Sequence, residues 1–266
     1  MKPFVKWLGG KTQLIKYISY PKEFKKYAEP FVGSGAIFLD VLSKFNNIES
    51  YISDINENLI NVWESVKSYS DGLIEYLEFF KNKFDESEDK SKFYYDMRDS
   101  FNSFNILNYV VAACFIFLNK TGFNGLYRVN SSGEFNAAYG KRDFNIDLDN
   151  LKKISKVIKN TIIEYKDFIN VETFCDKDTF VYFDPPYRNS PHKYNTGSFM
   201  DDDRIELFNL IKRLDSQGTK FLLSEADDED FITNLYKDFN ISKITLDHKI
   251  NPNTKRKQEE LLISNY

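Results

Sequence analysis

Short apolar runs alternate with amphipathic stretches over much of this chain. The runs are rich in β-branched and aromatic side chains, which are typical of strands, whereas the stretches between them repeat apolar residues at helical spacing. This alternation predicts an α/β protein built around one sheet. The predicted strands cover residues 26–29, 50–54, 161–165, 179–184, 220–224, 241–246 and 260–264.

The alternation stops between Asp54 and Thr161. Helical periodicity begins near Asn58, and the apolar run 109–118 is also predicted to be helical. The segment 119–140 that follows is rich in Asn, Gly and Ser, and it contains Asn-Ser-Ser-Gly, which is typical of a hairpin turn. We therefore expect an inserted domain that is mostly helical and carries one β-hairpin.

This pattern divides the chain into two parts. Residues 1–55 and 146–266 are expected to form the α/β domain, and residues 56–145 the inserted domain. The chain has 266 residues, of which 42% are hydrophobic and 17% aromatic. It can therefore bury a full core, as one large domain or as a domain that carries an insertion.

Composition and charge narrow the class of protein. No apolar stretch is long enough to cross a membrane, and no apolar signal segment follows the N-terminus, so we expect a cytoplasmic protein with no membrane partner. The two histidines have no cysteine close by in sequence, which argues against a metal site. The net charge of -4 argues mildly against nucleic-acid binding, but lysines crowd the N-terminus. The motifs must therefore decide whether the protein binds nucleic acid.

A glycine-containing turn follows the first predicted strand. Its sequence, Glu-Pro-Phe-Val-Gly-Ser-Gly at residues 29–35, precedes an apolar helical run, and glycine here lets the backbone pass close to a ligand. A dinucleotide fingerprint would need a third glycine where this chain has Phe38, so an adenosine-bearing ligand without phosphates is expected. Asp54, at the end of the next strand, can accept hydrogen bonds from both ribose hydroxyls.

The sequence Lys-Trp-Leu-Gly-Gly-Lys-Thr at residues 6–12 ends like a phosphate-binding loop. That motif requires glycine where this chain has Val5, which excludes an ATPase. On its own the segment is equally consistent with an N-terminal turn around a buried tryptophan.

The sequence Asp-Pro-Pro-Tyr follows a fully apolar predicted strand, at the edge where open α/β sheets bind ligands. The two prolines fix the backbone, and Pro185 has no N–H, which leaves carbonyl groups as acceptors. The Asp184 carboxylate beside a fixed carbonyl provides two acceptors aimed at one point, which suits an amino group. Tyr187 offers a flat face on which a planar base can stack.

These motifs occur in a recognisable order. Lys-Trp-x-Gly-Gly-Lys, Glu-Pro-Phe-Val-Gly-Ser-Gly, the 119–140 segment and Asp-Pro-Pro-Tyr together resemble the Dam family of DNA adenine methyltransferases, as does the stretch that begins Thr-Lys-Arg-Lys at residue 254. The resemblance implies an α/β fold with a Rossmann-like, seven-stranded methyltransferase sheet whose last strand inserts antiparallel. It also implies that the insertion is a helical DNA-recognition domain with a β-hairpin.

The same resemblance implies the reaction and its partners. The enzyme would transfer the methyl group of S-adenosyl-L-methionine to adenine N6 in double-stranded DNA, without a metal, after flipping the base out of the duplex. The family's common target is GATC. A cognate restriction endonuclease is an expected functional partner, and a monomer is the expected state on DNA.

Residue roles are carried over from the same resemblance. The predicted catalytic residues are Asp184, Pro185 and Tyr187. The predicted cofactor-binding residues are Trp7, Lys11, Glu29, Phe31, Gly33, Gly35, Asp54, Asp167, Phe168 and Asp184. The predicted DNA-binding residues are Lys6, Phe123, Asn124, Leu126 and Arg128. Among these, Arg128 and Lys6 would each contact a guanine, and Phe123 would wedge into the base stack.

Two departures from the family pattern bear on specificity. Residues 135–138 are Phe-Asn-Ala-Ala, where relatives often have Phe-Asn-Val-Pro. Ser224 and Glu225 stand where relatives often have Ser-Asn. Both changes leave the predicted chemistry intact and put only the recognised sequence in doubt.

The residues alone leave other functions open. A methyltransferase acting on RNA or on a protein amide also presents two acceptors to an amino group, although Asn usually precedes the prolines there. A catalytically inactive DNA-binding relative is disfavoured by the intact Asp184 and Tyr187. A Rossmann oxidoreductase is disfavoured by Phe38.

Overall fold

The structure is a computed structural model that describes residues 1–187, 199–226, 230–251 and 254–266, without the side chains of residues 247–258. The strands are β1 (Lys26–Glu29), β2 (Glu49–Asp54), β3 (Ile162–Tyr165), β4 (Thr179–Phe183), β5 (Lys220–Ala226), β6 (Asn240–Asn251) and β7 (Thr254–Ser264). The α-helices are α1 (Ala36–Lys44), α2 (Glu57–Ser68), α3 (Ser70–Glu86), α4 (Lys90–Ser103), α5 (Tyr109–Thr121), α6 (Leu148–Val157), α7 (Asp201–Ser216) and α8 (Phe231–Leu235). Short 3-10 helices cover Ile15–Tyr17, Phe123–Gly125 and Phe168–Thr173.

The strands form a seven-stranded sheet in the order β3-β2-β1-β4-β5-β7-β6. β1 pairs in parallel with β2 and β4, and β4 pairs in parallel with β5. β7 lies antiparallel between β5 and β6. The predicted Rossmann-like sheet with an antiparallel last strand is therefore confirmed.

β6 and β7 are longer than the sequence predicted. The predicted segments 241–246 and 260–264 extend to Asn251 and back to Thr254, because the two strands pair with each other along almost their whole length. The added residues are largely polar, so they lack the apolar alternation on which the prediction depended.

The chain divides into two compact units, of which one holds most of the sheet. This unit consists of Lys11–Val32, Phe45–Ile55 and Lys166–Tyr266. Its central strand β4 is buried at every position, as expected for a strand covered on both faces. α7 places Leu207, Ile211 and Leu214 in the same apolar core.

The other unit consists of Met1–Gly10, Gly33–Lys44 and Asn56–Tyr165 and is mainly helical. Its central helix α5 is apolar on all sides and buried along most of its length. The Asn108 side chain caps α5 by accepting hydrogen bonds from the N–H groups of Val110 and Val111, at 2.8 and 3.1 Å.

The predicted β-hairpin is reduced to two isolated bridges, Gly122 with Tyr139 and Val129 with Phe135. Two backbone hydrogen bonds of 2.9 Å flank the second bridge, so the backbone groups of Phe135 turn away from the opposite strand. Both backbone groups of Phe135 are hydrogen-bonded to the Asn102 side chain, at 2.8 and 3.0 Å. Asn102 therefore joins the outer edge of the hairpin to α4.

Within the described ranges, no helix has both the length and the apolar character needed to cross a membrane.

Candidate active site

Acidic side chains follow the carboxyl ends of three parallel strands in the sheet-bearing unit. Glu29 ends β1, Asp54 ends β2, and Asp184 comes directly after β4. Because parallel strands end at the same edge of a sheet, the predicted catalytic and ribose-binding carboxylates lie along one edge. Glu29 is buried there and accepts a hydrogen bond from the Tyr27 hydroxyl at 2.5 Å.

The Asp184 carboxylate is held by two side chains. The Lys11 Nζ lies 2.9 Å from its Oδ1, and the Ser224 hydroxyl donates to the same oxygen at 3.1 Å. The Tyr182 hydroxyl shares a 2.8 Å hydrogen bond with Ser224. Among the described residues, both of these contacts use Oδ1, so Oδ2 is the acceptor that a substrate amino group can use.

Burial raises the pKa of the Asp184 carboxyl, and the Lys11 ammonium opposes this effect by stabilising the charged form. Lys11 is itself buried, so the attraction between the two groups is only weakly screened by solvent. The ion pair therefore keeps a carboxylate available in an apolar environment.

Lys11 also contacts the aromatic residue of the motif. Its Nζ donates to the Tyr187 hydroxyl at 2.6 Å and lies 4.3 Å from the ring centroid. Burial raises the pKa of Tyr187 well above its usual value, so this side chain is a neutral phenol at physiological pH. One lysine thus connects both ends of the Asp-Pro-Pro-Tyr motif.

Two predicted cofactor residues form an aromatic cluster with a third. The rings of Phe31 and Phe168 stack at a centroid distance of 5.4 Å, and Phe199 meets both rings edge-on at 5.8 Å. Asp167 precedes Phe168, and its carboxylate caps the following 3-10 helix by accepting from the Ile169 N–H at 3.1 Å. The cluster is an apolar surface of the kind that a purine ring can contact.

The glycine turn and Trp7 are brought together in the helical unit. Gly33 and Gly35 have positive φ angles of 48° and 66°. The Trp63 indole donates to the Gly33 carbonyl at 3.1 Å, and a Cβ added at Gly33 would lie 2.7 Å from the Trp7 ring. Gly33 is therefore required both for its backbone conformation and for the close approach of Trp7.

Gly33→Ala is expected to lower the free energy of unfolding by about 1–2 kcal/mol through backbone strain and by roughly 1–3 kcal/mol more through overpacking against Trp7. Gly133→Ala is the matched control, because Gly133 also has a positive φ but would place its Cβ in open space. Urea unfolding of both variants measures the difference. Equal losses would contradict the role given to Trp7.

The predicted DNA-binding residues surround the start of the reduced hairpin. The Lys6 backbone is fixed to the Asn119 side chain by bonds of 2.8 and 2.9 Å. Desolvation and the nearby positive charge of Arg142 lower the pKa of Lys6. Phe123 is 57% exposed, and Asn124, which is also exposed, has a left-handed backbone with φ of 57°.

Arg128 is exposed but ordered by one partner. Its Nε donates to the Asn136 Oδ1 at 2.7 Å, and its Nη2 donates to the Asn136 carbonyl at 3.1 Å. These bonds use the edge of the guanidinium group formed by Nε and Nη2, so among the described residues the Nη1 group and one Nη2 proton remain as donors. Leu126, two residues earlier, is half-buried.

Comparison with known proteins gives a family. A model described as "D12 class N6 adenine-specific DNA methyltransferase" matches residues 7–250. This chain belongs to that family. The resemblance to Dam-type adenine methyltransferases is thereby confirmed, and the chain is an adenine-specific DNA methyltransferase.

Relatives match over the full length of this adenine methyltransferase. "Type II methyltransferase M.MjaIII" of Methanocaldococcus jannaschii is 44% identical, with 100% of this chain and 99% of the relative covered. "Type II methyltransferase M1.LlaDCHI" of Lactococcus lactis is 33% identical, with 100% and 96% covered. "DNA adenine methylase" of Haemophilus influenzae is 31% identical, with 98% and 92% covered.

The family implies S-adenosylmethionine as the cofactor of this methyltransferase, and the donor set is suited to it. The Asp54 carboxylate can accept from a ribose diol, and the cluster of Phe31, Phe168 and Phe199 can contact an adenine ring. Within the ranges described, no group of three or more His, Cys, Asp or Glu side chains is placed to hold a metal ion. The Thr-Lys-Arg-Lys stretch at residue 254, which contributed to the family resemblance, falls on side chains outside the described ones.

Sequence reasoning missed two residues of this site. Ser224 was noted only as part of a departure from the family pattern, whereas it donates to Asp184. Arg204 was not singled out, although it is buried and donates to the Pro186 carbonyl at 2.6 Å. One signal was present: Arg204 occurs at helical spacing from Leu207 and Ile211, which places it on the buried face of α7.

Proposed function

We propose that this methyltransferase flips an adenine out of double-stranded DNA and methylates its N6, and that its target sequence is GATC. The observation that carries the proposal is the Asp184 carboxylate, which is largely buried, ion-paired through Oδ1 and left with Oδ2 as an acceptor at the residue that precedes Pro185. When bound, S-adenosylmethionine supplies a methyl group that is already activated.

The Asp184 Oδ2 and the Pro185 carbonyl accept hydrogen bonds from the two N6 protons. The N6 lone pair of free adenine is delocalised into the ring, so the amino group is a poor nucleophile. Hydrogen bonds to two acceptors favour a pyramidal nitrogen, and this geometry releases the lone pair for attack. The same two acceptors stabilise the positive charge that develops on nitrogen. Positioning of the two reactants supplies much of the remaining acceleration.

Tyr187 stacks on the flipped adenine. Its hydroxyl accepts a hydrogen bond from Lys11 at 2.6 Å, which limits rotation of the ring. Stacking offsets the few kcal/mol that are lost when the base leaves the duplex. The exposed ring of Phe123 enters the gap in the base stack, as apolar wedges do in other DNA-bending proteins.

Lys6, Asn124, Leu126 and Arg128 read the target sequence, and Arg128 contributes most to discrimination. The Asn136 side chain holds the side of the Arg128 guanidinium, so the terminal donors are already oriented as a pair. Such a pair matches guanine O6 and N7 in the major groove. The Ala137 and Ala138 carbonyls accept hydrogen bonds from the Tyr94 hydroxyl and the Phe123 N–H. These bonds hold the backbone of residues 137–138 in place without the proline found in relatives.

The remaining assignments follow from the family. Residues 56–145 act in target recognition, and residues 1–55 and 146–266 carry the transfer chemistry. Because two relatives are named Type II methyltransferases, we assign this chain a functional pairing with a restriction endonuclease of the same specificity. The protein acts as a monomer.

Single-molecule sequencing of treated DNA tests the proposal. Purified protein and S-adenosylmethionine are incubated with DNA that lacks adenine methylation, and N6-methyladenine is mapped. Methylation confined to GATC is the expected result. Methylation within another short motif would overturn the GATC assignment alone, whereas methylated RNA or protein with unmethylated DNA would overturn the substrate.

Arg128→Ala is expected to lower discrimination against a substituted guanine by about 10–100-fold, which corresponds to about 1–3 kcal/mol for one bidentate pair. The ratio of kcat/KM on GATC and on a duplex with that guanine replaced measures the effect. Arg98→Ala is the control, since Arg98 lies on α4 and contacts Tyr95 and Asp99. An unchanged ratio in Arg128→Ala would remove this residue from base reading.

A further inference from the structure

Arg204 is a buried cation near the start of α7, with only 2% of its surface exposed. Its Nη2 donates to the Pro186 carbonyl at 2.6 Å, and its Nη1 donates to the Phe199 carbonyl at 2.8 Å. A longer contact of 3.5 Å joins Nη1 to the Met200 carbonyl. One guanidinium group therefore fixes the backbone of the Asp-Pro-Pro-Tyr motif to the backbone that leads into α7.

A buried carboxylate compensates the charge of this group. Glu225, also 2% exposed, places its Oε1 3.6 Å from the Arg204 Nη2. A buried guanidinium is costly unless it is paired with an anion and hydrogen-bonded, and Arg204 has both kinds of partner. Glu225 stands where the family pattern often has Asn, so the pairing gives this departure a structural reason.

Arg204 also connects the motif to the aromatic cluster. Its guanidinium carbon lies 5.0 Å from the centroid of the Phe199 ring, close enough for a cation–π interaction. The same ring packs against Phe31 and Phe168, which are predicted to contact the cofactor. The Pro186 carbonyl and the cluster are thus anchored to one side chain.

We propose that Arg204 is a positioning residue of this methyltransferase. Through the Pro186 carbonyl it sets the position of the Pro185 carbonyl and of the Tyr187 ring, and Glu225 serves as its counter-ion. This inference rests on the proposed function, in which those two groups touch the adenine. The planar fork of arginine can bind two carbonyls at once, whereas lysine presents a single point charge.

Arg204→Lys tests the proposal because it keeps the buried charge and removes the fork. We expect the single-turnover rate constant, at saturating cofactor and DNA, to fall about 10–100-fold, since small displacements of positioning groups cost up to about 10²-fold. The dissociation constants are expected to stay within about 3-fold. Arg213→Lys is the matched control on the same helix, because its guanidinium pairs with Glu172 at the surface.

A purely structural role would have another signature. It would lower the melting temperature and leave the rate per folded molecule unchanged, so a wild-type rate in Arg204→Lys overturns the proposal. Glu225→Gln keeps the carbonyl bonds of Arg204 and is expected to lower the melting temperature while retaining the rate. A rate loss in Glu225→Gln equal to that of Arg204→Lys would show that the buried charge, not the carbonyl bonds, controls the rate.

A second variant covers the case in which Arg204→Lys does not fold. The double variant Arg204→Met with Glu225→Gln leaves no uncompensated buried charge, and we expect it to fold and to react slowly. Transfer at the wild-type rate would overturn the proposal. If the wild-type protein itself forms no N6-methyladenine, the proposed function fails instead, so the two failures are distinguishable.

Discussion

Asp184→Ala is expected to lower the rate of methyl transfer by at least about 10³-fold while the protein stays folded. In the proposed mechanism the carboxylate accepts a hydrogen bond from an N6 proton in the transition state, and alanine removes both the acceptor and the negative charge. Lys11 and Ser224 hold this carboxylate in one orientation through its Oδ1. Single-turnover transfer to a GATC duplex, with thermal unfolding of the same sample, measures rate and fold separately.

Two further variants sharpen this test. Asp184→Asn keeps the shape but loses the charge, and the donors Lys11 and Ser224 hold its amide oxygen at the Oδ1 position, so an NH2 group replaces Oδ2 and the rate is expected to stay low. Asp178→Ala is the control, because Asp178 forms an exposed ion pair with Lys25 in the same unit. A near-normal rate in Asp184→Ala would show that the hydrogen bond to Asp184 does not drive the reaction.

Lys11→Met is expected to lower the rate at neutral pH by roughly 10²-fold, since it removes the cation that stabilises the Asp184 carboxylate in a desolvated site. The reaction requires the charged form of Asp184, so the rate falls as the pH drops through the pKa of this group. Without Lys11 that pKa rises further, and the acidic limb of the pH–rate profile moves to higher pH. Activity of the variant therefore recovers in part at alkaline pH.

The stability of Lys11→Met is expected to reflect the same increase in the pKa of Asp184. A carboxyl group whose pKa is raised in the folded state contributes stability that is present below its unfolded pKa and lost as the pH rises through the folded pKa. The difference in melting temperature from the wild type is therefore small at low pH, where Asp184 is protonated in both proteins, and grows as the pH rises through the raised pKa of Asp184. Lys44→Met, which breaks the pair of an exposed lysine with Asp40, is the control. An unshifted profile would mean that Lys11 does not tune Asp184.

The strands could be predicted because the residue pattern that identifies each one lies within a few consecutive positions. β4 reads as an uninterrupted apolar run, and the turn after β1 contains glycines that the structure places at positive φ. The hairpin was only partly predictable. Its turn residues were correct, but its strands meet only at isolated bridges. The Asn102 side chain from α4 binds the outer edge of the segment, and no pattern within the segment itself records that contact.

The candidate active site was likewise predictable only in part. Asp184, Pro185 and Tyr187 are adjacent in sequence, so the motif could be recognised from one segment. Ser224 reaches Asp184 from β5. Such a contact arises only after β4 and β5 pair side by side, and a serine at a strand position gives no sign of its partner.

The sequence by itself determined the family of this protein, its α/β order and the presence of its Asp-Pro-Pro-Tyr motif, because each depends on spacing within a short segment. Only the tertiary structure decided which charges are balanced in the interior. Lys11 pairs with Asp184, and Arg204 pairs with Glu225, across segments that are remote along the chain. The physical reason is that the cost of burying a charge depends on every group that folding brings around it, which no local pattern contains.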